Sequence, residues 1–517
     1  MKGSVLNRTN PKLDSDLRKR RRLASVLCLA LFSLPGVMAG GEELTLERAL
    51  NIAFQNSPTI RQAGYSLVTS ERNLMAQQAG LKSQFSLAVT PYRTSSSRVF
   101  NDLIASYNTQ TQTRSEAGFT IRQPIKWTDG TLFVTNTFNW TEASSSAAGA
   151  EKSSGFSNSL SINLQQPLFT YNRTKMQIRE LELALENTQL NYAIQKLSIE
   201  RQVTAQFLNL YYSRMSIQIS QEELDNATES LNIIQSKVDA GLSAREELYQ
   251  ADITRDNSRA SLENLKIQHE NSLDTFKRLL GLELESLIDV SAEIQRTEVG
   301  VDLERAINYG LDNRMELRQR DIEIQYTLND LIVAGAENEF KASLQAGFGL
   351  TGTNEQLDNL FDSPNSDYLF ALTFDIPLFD WGQKKHRLAA TQAQIDTANL
   401  SAEEEIKNIK SEIREAYRSL MNQKLQIEIA EKSITNAELT YEINLERYRN
   451  GDLSSKDLQF YQLQLSQQRL SLVQALINNR LALLDLKIRT LWDFEANRSI
   501  LDELCLLYTS PSPRDRS

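Results

Sequence analysis

The chain has 517 residues, with 56 Lys and Arg against 66 Asp and Glu and a net charge of −10 at neutral pH, a balance that argues against nucleic acid as a partner. Its only cysteines are Cys28 and Cys505 and its only histidines His269 and His386, so no metal-spaced cluster can be assembled from them. No nucleophile motif or phosphate loop is present either, and neither an enzyme nor a cofactor is expected.

Arg18 to Arg22 form a basic block, an apolar run follows, and the small residues Val37 and Ala39 suit a cleavage site before Gly40. Residues 1–39 therefore read as a secretory signal peptide. A membrane anchor is the alternative, but the run is short for a span, which needs roughly 20 residues. Leu27 precedes Cys28 where a lipoprotein signal wants a small residue, so acylation there is not expected. At the other end, residues 505–517, opening "CLLYTSPSPRD", can be encoded by a sequencing-transposon end and its adaptor read in frame, and they are set apart from the fold. Removing the +6 of residues 1–39 and the +1 of residues 505–517 from −10 leaves −17 on a body without thiols. No other stretch approaches a transmembrane helix, so a secreted chain of this kind is soluble in the periplasm or crosses a membrane as strands.

The body opens on "LTLERALNIAFQN" at 44–56, and nearly the same line returns as "VDLERAINYGLDN" at 301–313. Shifted by 257, Leu46, Glu47, Arg48, Ala49, Asn51 and Asn56 fall on Leu303, Glu304, Arg305, Ala306, Asn308 and Asn313. A period this long is no solenoid unit. It marks a duplicated half-protein, with a first repeat over 40–300 and a second over 301–497.

Period-two segments follow each copy. In the first repeat they carry Phe85, Leu87 and Val89; then Phe119, Ile121 and Ile125; then Leu132, Val134, Phe138 and Trp140; then Leu160, Ile162 and Leu164. In the second they carry Ala342, Leu344, Ala346 and Phe348, then Tyr368, Phe370, Leu372, Phe374 and Ile376. "TDG" at 128–130 reads as a hairpin turn. A β-sandwich alternates in the same way, and the secretory signal favours a membrane barrel, with Leu160, Ile162, Tyr368, Phe370 and Phe374 facing lipid. Six strands fall short of the about eight that close a barrel alone, and open edges are not tolerated in lipid, so several chains must pool them.

"QPLFTYNR" at 166–173 and "IPLFDWGQ" at 376–383 then match at a shift of 210. The fall from 257 to 210 leaves 47 extra residues in the first repeat, assigned to a hairpin at 118–140. Pro167 and Pro377 lack a ladder donor and suit strand ends. Asn172 and Gly382 occupy one position of the two junctions, and both residue types tolerate left-handed φ. Arg173 to Val238 holds no Gly or Pro and predicts a helix of roughly 100 Å. Its partner runs from near Ser243 to Leu280; in the second repeat, Lys384–Arg449 pairs with a helix beginning near Ser454. Leu224, Ala227, Leu231, Ile234 and Val238 step as a coiled-coil seam, and "DAGLS" and "NGDLS" turn each pair back antiparallel. His269 falls on such a seam and is expected to be packed.

Two copies of the opening line, then strands, then "PLF" entering a long helix, then a helix pair broken at Gly: this order resembles the TolC-like outer membrane efflux protein (outer membrane factor) family, over about Leu44 to Trp492. The resemblance implies a mainly α fold with membrane β, in which duplicated long helical hairpins form an α-barrel and strands pool into a trimeric transmembrane β-barrel. It implies a homotrimer in the cell outer membrane and its lipid bilayer, extending into the periplasm. It further implies an exit duct of a tripartite efflux system, working with a periplasmic membrane-fusion (adaptor) protein and an inner-membrane RND or ABC transporter. A type I protein secretion duct and a periplasmic coiled-coil scaffold are the other readings. Gly241, Leu242 and Ser243, with Gly451, Asp452, Leu453 and Ser454, would be the hairpin tips that meet the adaptor, a bare turn being the plainer alternative. Asp457, matched by Glu247, would line the periplasmic constriction, a solvated helix charge being the plainer alternative. Phe460 and Leu453 stand where TolC has an Asp and an Arg, so a charged latch of that kind is not expected.

Overall fold

The computed structural model describes residues 43–101, 106–146, 151–290, 299–450 and 452–501. The signal peptide, both cysteines, the adaptor-like tail and Gly451 lie outside the described residues. Two short helices, α1 (Leu46–Asn56) and α2 (Pro58–Gly80), lead into four strands: β1 (Gln84–Asn101), β2 (Ser106–Ile125), β3 (Gly130–Ser145) and β4 (Ser153–Leu168). A long hairpin of α3 (Arg173–Asp239) and α4 (Arg245–Leu280) follows. The order then repeats with α5 (Leu303–Asn313), α6 (Met315–Ala336), β5 (Lys341–Asn354), β6 (Asn365–Asp375), α7 (Gln383–Arg449) and α8 (Ser455–Thr490).

The repeated opening line is a short capped helix wedged under a long one. Thr45 and Asp302 cap α1 and α5, accepting from the backbone N–H of Arg48 and Arg305. Ala49, Ala53 and Ala306 are fully buried, and Gly310 stands where the first repeat has Ala53. A Cβ on Gly310 would lie 2.2 Å from Ile413 Cδ1, so a small residue is what lets α5 approach α7. The core sits at this waist. One cluster joins α1, α3 and α4 through Ala49, Val203, Phe207, Leu210, Phe276 and Leu280. Another joins α5, α7 and α8 through Ala306, Ile409, Ile413, Leu420, Leu483 and Leu486. Each fully buried large side chain contributes about 1.5–3 kcal/mol.

The helices α3 and α7 have 67 residues each and span about 100 Å. Among the described residues no helix is apolar enough to cross a membrane. The strands form one antiparallel sheet in the order β1-β2-β3-β4-β5-β6. All six strands read from sequence lie in it, and the extra hairpin, β2–β3, is built into its middle.

Candidate duct wall, helix junctions and hairpin tips

Cross-strand partners share a face, so the register shows what each side of the sheet presents. One row runs Phe85, Ile121, Val134, Ile162, Phe348, Tyr368. The next row beside it runs Ser86, Thr120, Thr135, Ser161, Gly349, Asp367. One face is therefore largely apolar, interrupted by the Asn136–Asn158 pair, and the other is largely polar, with Arg122, Phe133 and Leu369 among its long side chains. Leu160, Ile162, Tyr368, Phe370 and Phe374 all lie on the apolar face and are exposed. A bulge between Thr90 and Arg93 ends the apolar run of β1, and beyond it Thr94 and Ser96 take over that side.

Below the sheet, each strand pair hands over to a long helix. Pro167 sits in the last rungs of β4 opposite Ser343, while Pro377 lies two residues past the end of β6. Gly382 adopts φ +84 as the N-cap of α7, as left-handed tolerance allows. Asn172 does not: at φ −79 it is extended, and its carboxamide caps α3 by accepting from Lys175 N at 2.7 Å. The sequence equivalence of the two positions thus hides different chemistry. Asn172 also donates to the carbonyls of Lys126 and Trp127 in the β2–β3 turn. From that turn Asp129 accepts from the backbone N–H of Arg173 and Thr174 and from the Thr174 hydroxyl. At α7 the same service is local, with Asp380 accepting from Gly382 N at 2.9 Å and Lys384 N at 3.0 Å. Those two N–H groups hold the Asp380 carboxyl below the usual aspartate range.

At the far ends the helix pairs reverse. Gly241 has φ +73, and Leu242 N donates to Lys237 O at 2.7 Å, which closes α3 and leaves the Leu242 side chain 79% exposed. The second tip repeats the bond, with Asp452 N donating to Arg447 O at 2.9 Å. Ser454 caps α8, and its hydroxyl donates to Asp457 Oδ2 at 2.7 Å while accepting from Asp457 N. Ser243 donates likewise to the Glu247 carboxylate. Both acidic residues named for the constriction are therefore exposed and engaged in the first turn of a helix. Leu453 is half-buried. Between the hairpins, Ser230 Oγ and Ser455 Oγ are 2.9 Å apart, Arg469 pairs with Glu222 at 3.1 Å, and Lys237 lies over the Tyr448 ring.

His269 is packed against α3, with Nδ1 2.6 Å from Ser213 Oγ. Burial, helped by Arg214 and opposed by Asp289 and Glu270, pushes its pKa below the ordinary value. Sequence reasoning missed Asp129 as a cap, the inter-hairpin ties, and Leu491, which ends α8 at φ +53 where Gly281 ends α4 at φ +73.

The chain matches the family model described as outer membrane efflux protein over residues 134–282 and 307–487. Solved structures share the fold. The CmeC outer membrane channel of Campylobacter jejuni aligns with a TM-score of 0.67 at 16% identity, covering 91% of this chain and 90% of that one. VceC, an outer membrane protein of Vibrio cholerae, aligns at 0.61 and 15% identity, covering 86% and 94%. The open state of the Neisseria gonorrhoeae MtrE outer membrane channel aligns at 0.61 and 14% identity, covering 87% and 89%. No curated protein matches.

Proposed function

The chain belongs to the outer membrane efflux protein family, and on that premise we propose that three copies form the exit duct of a tripartite efflux system for small molecules. The observation that carries the reading is one sheet, largely apolar on one face and, among the described residues, unclosed at both edges, standing on two helical hairpins of 67 and 36 residues. Alone, the sheet leaves the outer edges of β1 and β6 without partners among the described residues, a cost that lipid does not permit. Pooling it with other copies removes the edges, and the helices then prolong the bore into the periplasm.

The tips at Gly241–Ser243 and Asp452–Ser454 are the surfaces for a periplasmic adaptor, through which an inner-membrane pump delivers cargo. Leu242 is the apolar contact they offer. Asp457 supplies one carboxylate per copy near the end of the bore, which favours cations there. The test is single-channel recording of the chain purified from outer membranes. Steady conductance supports the duct; a protein that fractionates with soluble periplasm and conducts nothing would leave only a scaffold.

A further inference from the structure

The hairpin that the second repeat lacks is not an appendage. Its two strands are the second and third of the sheet, and its turn is tied to the start of α3 through Asp129 and Asn172. Two strands per repeat would give four per chain; among the described residues this sheet has six.

How such sheets close can be read from their stagger. The row of paired residues that begins at Phe85, one residue above the lower end of β1, reaches β6 at Tyr368. The residue one above the lower end of β6 is Phe374, six positions further along. If the lower rims of neighbouring copies are level, Phe374 of one copy lies opposite Phe85 of the next. A slip of six keeps both on the apolar face, because the side-chain period is two. Six strands also put β6 antiparallel to the next β1. Six residues of about 3.3 Å over six strand spacings of about 4.8 Å give a tilt of about 35°, at the foot of the range found in closed barrels.

We propose that β6 of one copy pairs with β1 of the next, Phe374 opposite Phe85, and that three copies close an eighteen-stranded barrel widened by the added hairpin. At this tilt the backbone radius is about 17 Å, against about 11 Å for the twelve strands that unexpanded repeats would supply. The side chains of the polar face, Arg122, Phe133 and Leu369 included, are all shorter than this radius and do not plug it. The mouth therefore passes bulky solutes, and selection by size falls on the helical end. This rests on the exit-duct reading.

The experiment uses the full chain with Cys28 and Cys505 replaced by Ser. Phe85→Cys with Phe374→Cys, oxidised in outer membranes, is expected to give a covalent trimer on non-reducing denaturing gels. Phe85→Cys with Tyr368→Cys, the register of a sheet without slip, is expected to give none. Cross-linking through Tyr368→Cys instead, or a covalent dimer as the end product, or no cross-link with either pair, overturns the closure. In a planar bilayer, polyethylene glycols too large for a twelve-stranded bore should lower conductance from the extracellular side and not from the periplasmic side. Equal cut-offs from both sides overturn the widening. A covalent trimer that conducts nothing keeps the barrel and sinks the duct reading.

Discussion

At the scale of single residues, two positions carry opposite expectations although sequence makes them equivalents. Ala53 fills its site under α3, whereas Gly310 leaves none to fill under α7. Gly310→Ala drives a methyl into Ile413, a side chain with no exposed surface in which to retreat, and should cost about 1–3 kcal/mol. Ala53→Gly removes a buried methyl and loosens a helix, costing about 1–2 kcal/mol. Thermal melting of the purified protein should show both as lowered midpoints; a neutral Gly310→Ala would mean that α5 and α7 are not held as close as described. His269 sets a pH dependence. Its folded value lies below 6.5, so the folded chain resists the proton that the unfolded chain accepts. Its contribution is full above about 6.5 and drains away as pH falls toward the lowered value. His269→Gln should flatten the melting temperature across that window, while an unchanged slope would assign the pH response to other groups.

At the scale of elements, helix and strand extents were legible because their patterns are long. No Gly or Pro interrupts 173–238, and the helix runs from Arg173 to Asp239. Each alternating segment became a strand in one sheet. The Asp129 cap was not legible, because its partners are remote in sequence. Asp129 lies 45 residues before the Thr174 N–H it accepts from, and only folding the hairpin brings them together. Leu491 was equally hidden, since left-handed φ is written by Gly281 and not by a leucine. Asp129→Ala should free the first two N–H groups of α3 while leaving the Asn172 cap in place, at a cost of about 0.5–2 kcal/mol. Amide exchange at Arg173 and Thr174 should quicken while α7, capped by its own Asp380, keeps its protection. Equal quickening at both junctions would mean a global loss of stability and not a lost cap.

At the scale of the whole molecule, the duplication was written plainly, but how the halves touch was not. Arg469 and Glu222 are 247 residues apart, Ser455 and Ser230 are 225 apart, and no shared motif flags either pair. Leu453 and Phe460 argue against a TolC-like charged latch. The second hairpin is nonetheless tied to the first by an ion pair, a hydroxyl pair and the Lys237–Tyr448 contact. These ties hold one hairpin against the other near the tips, so they resist any splaying that would widen the periplasmic end. Arg469 and Glu222 are 40% and 49% exposed, which limits their bond to about 0.2–1 kcal/mol. Arg469→Ala alone should therefore change little. Arg469→Ala, Ser455→Ala and Lys237→Ala together remove about 1–2 kcal/mol, enough to raise the open fraction about tenfold if the tips are the closed end. Single-channel recording reads that directly as open time. Open time unchanged in the triple variant would place the constriction elsewhere along the bore, with the Asp457 carboxylates, each already held by its own Ser454, as the next position to vary.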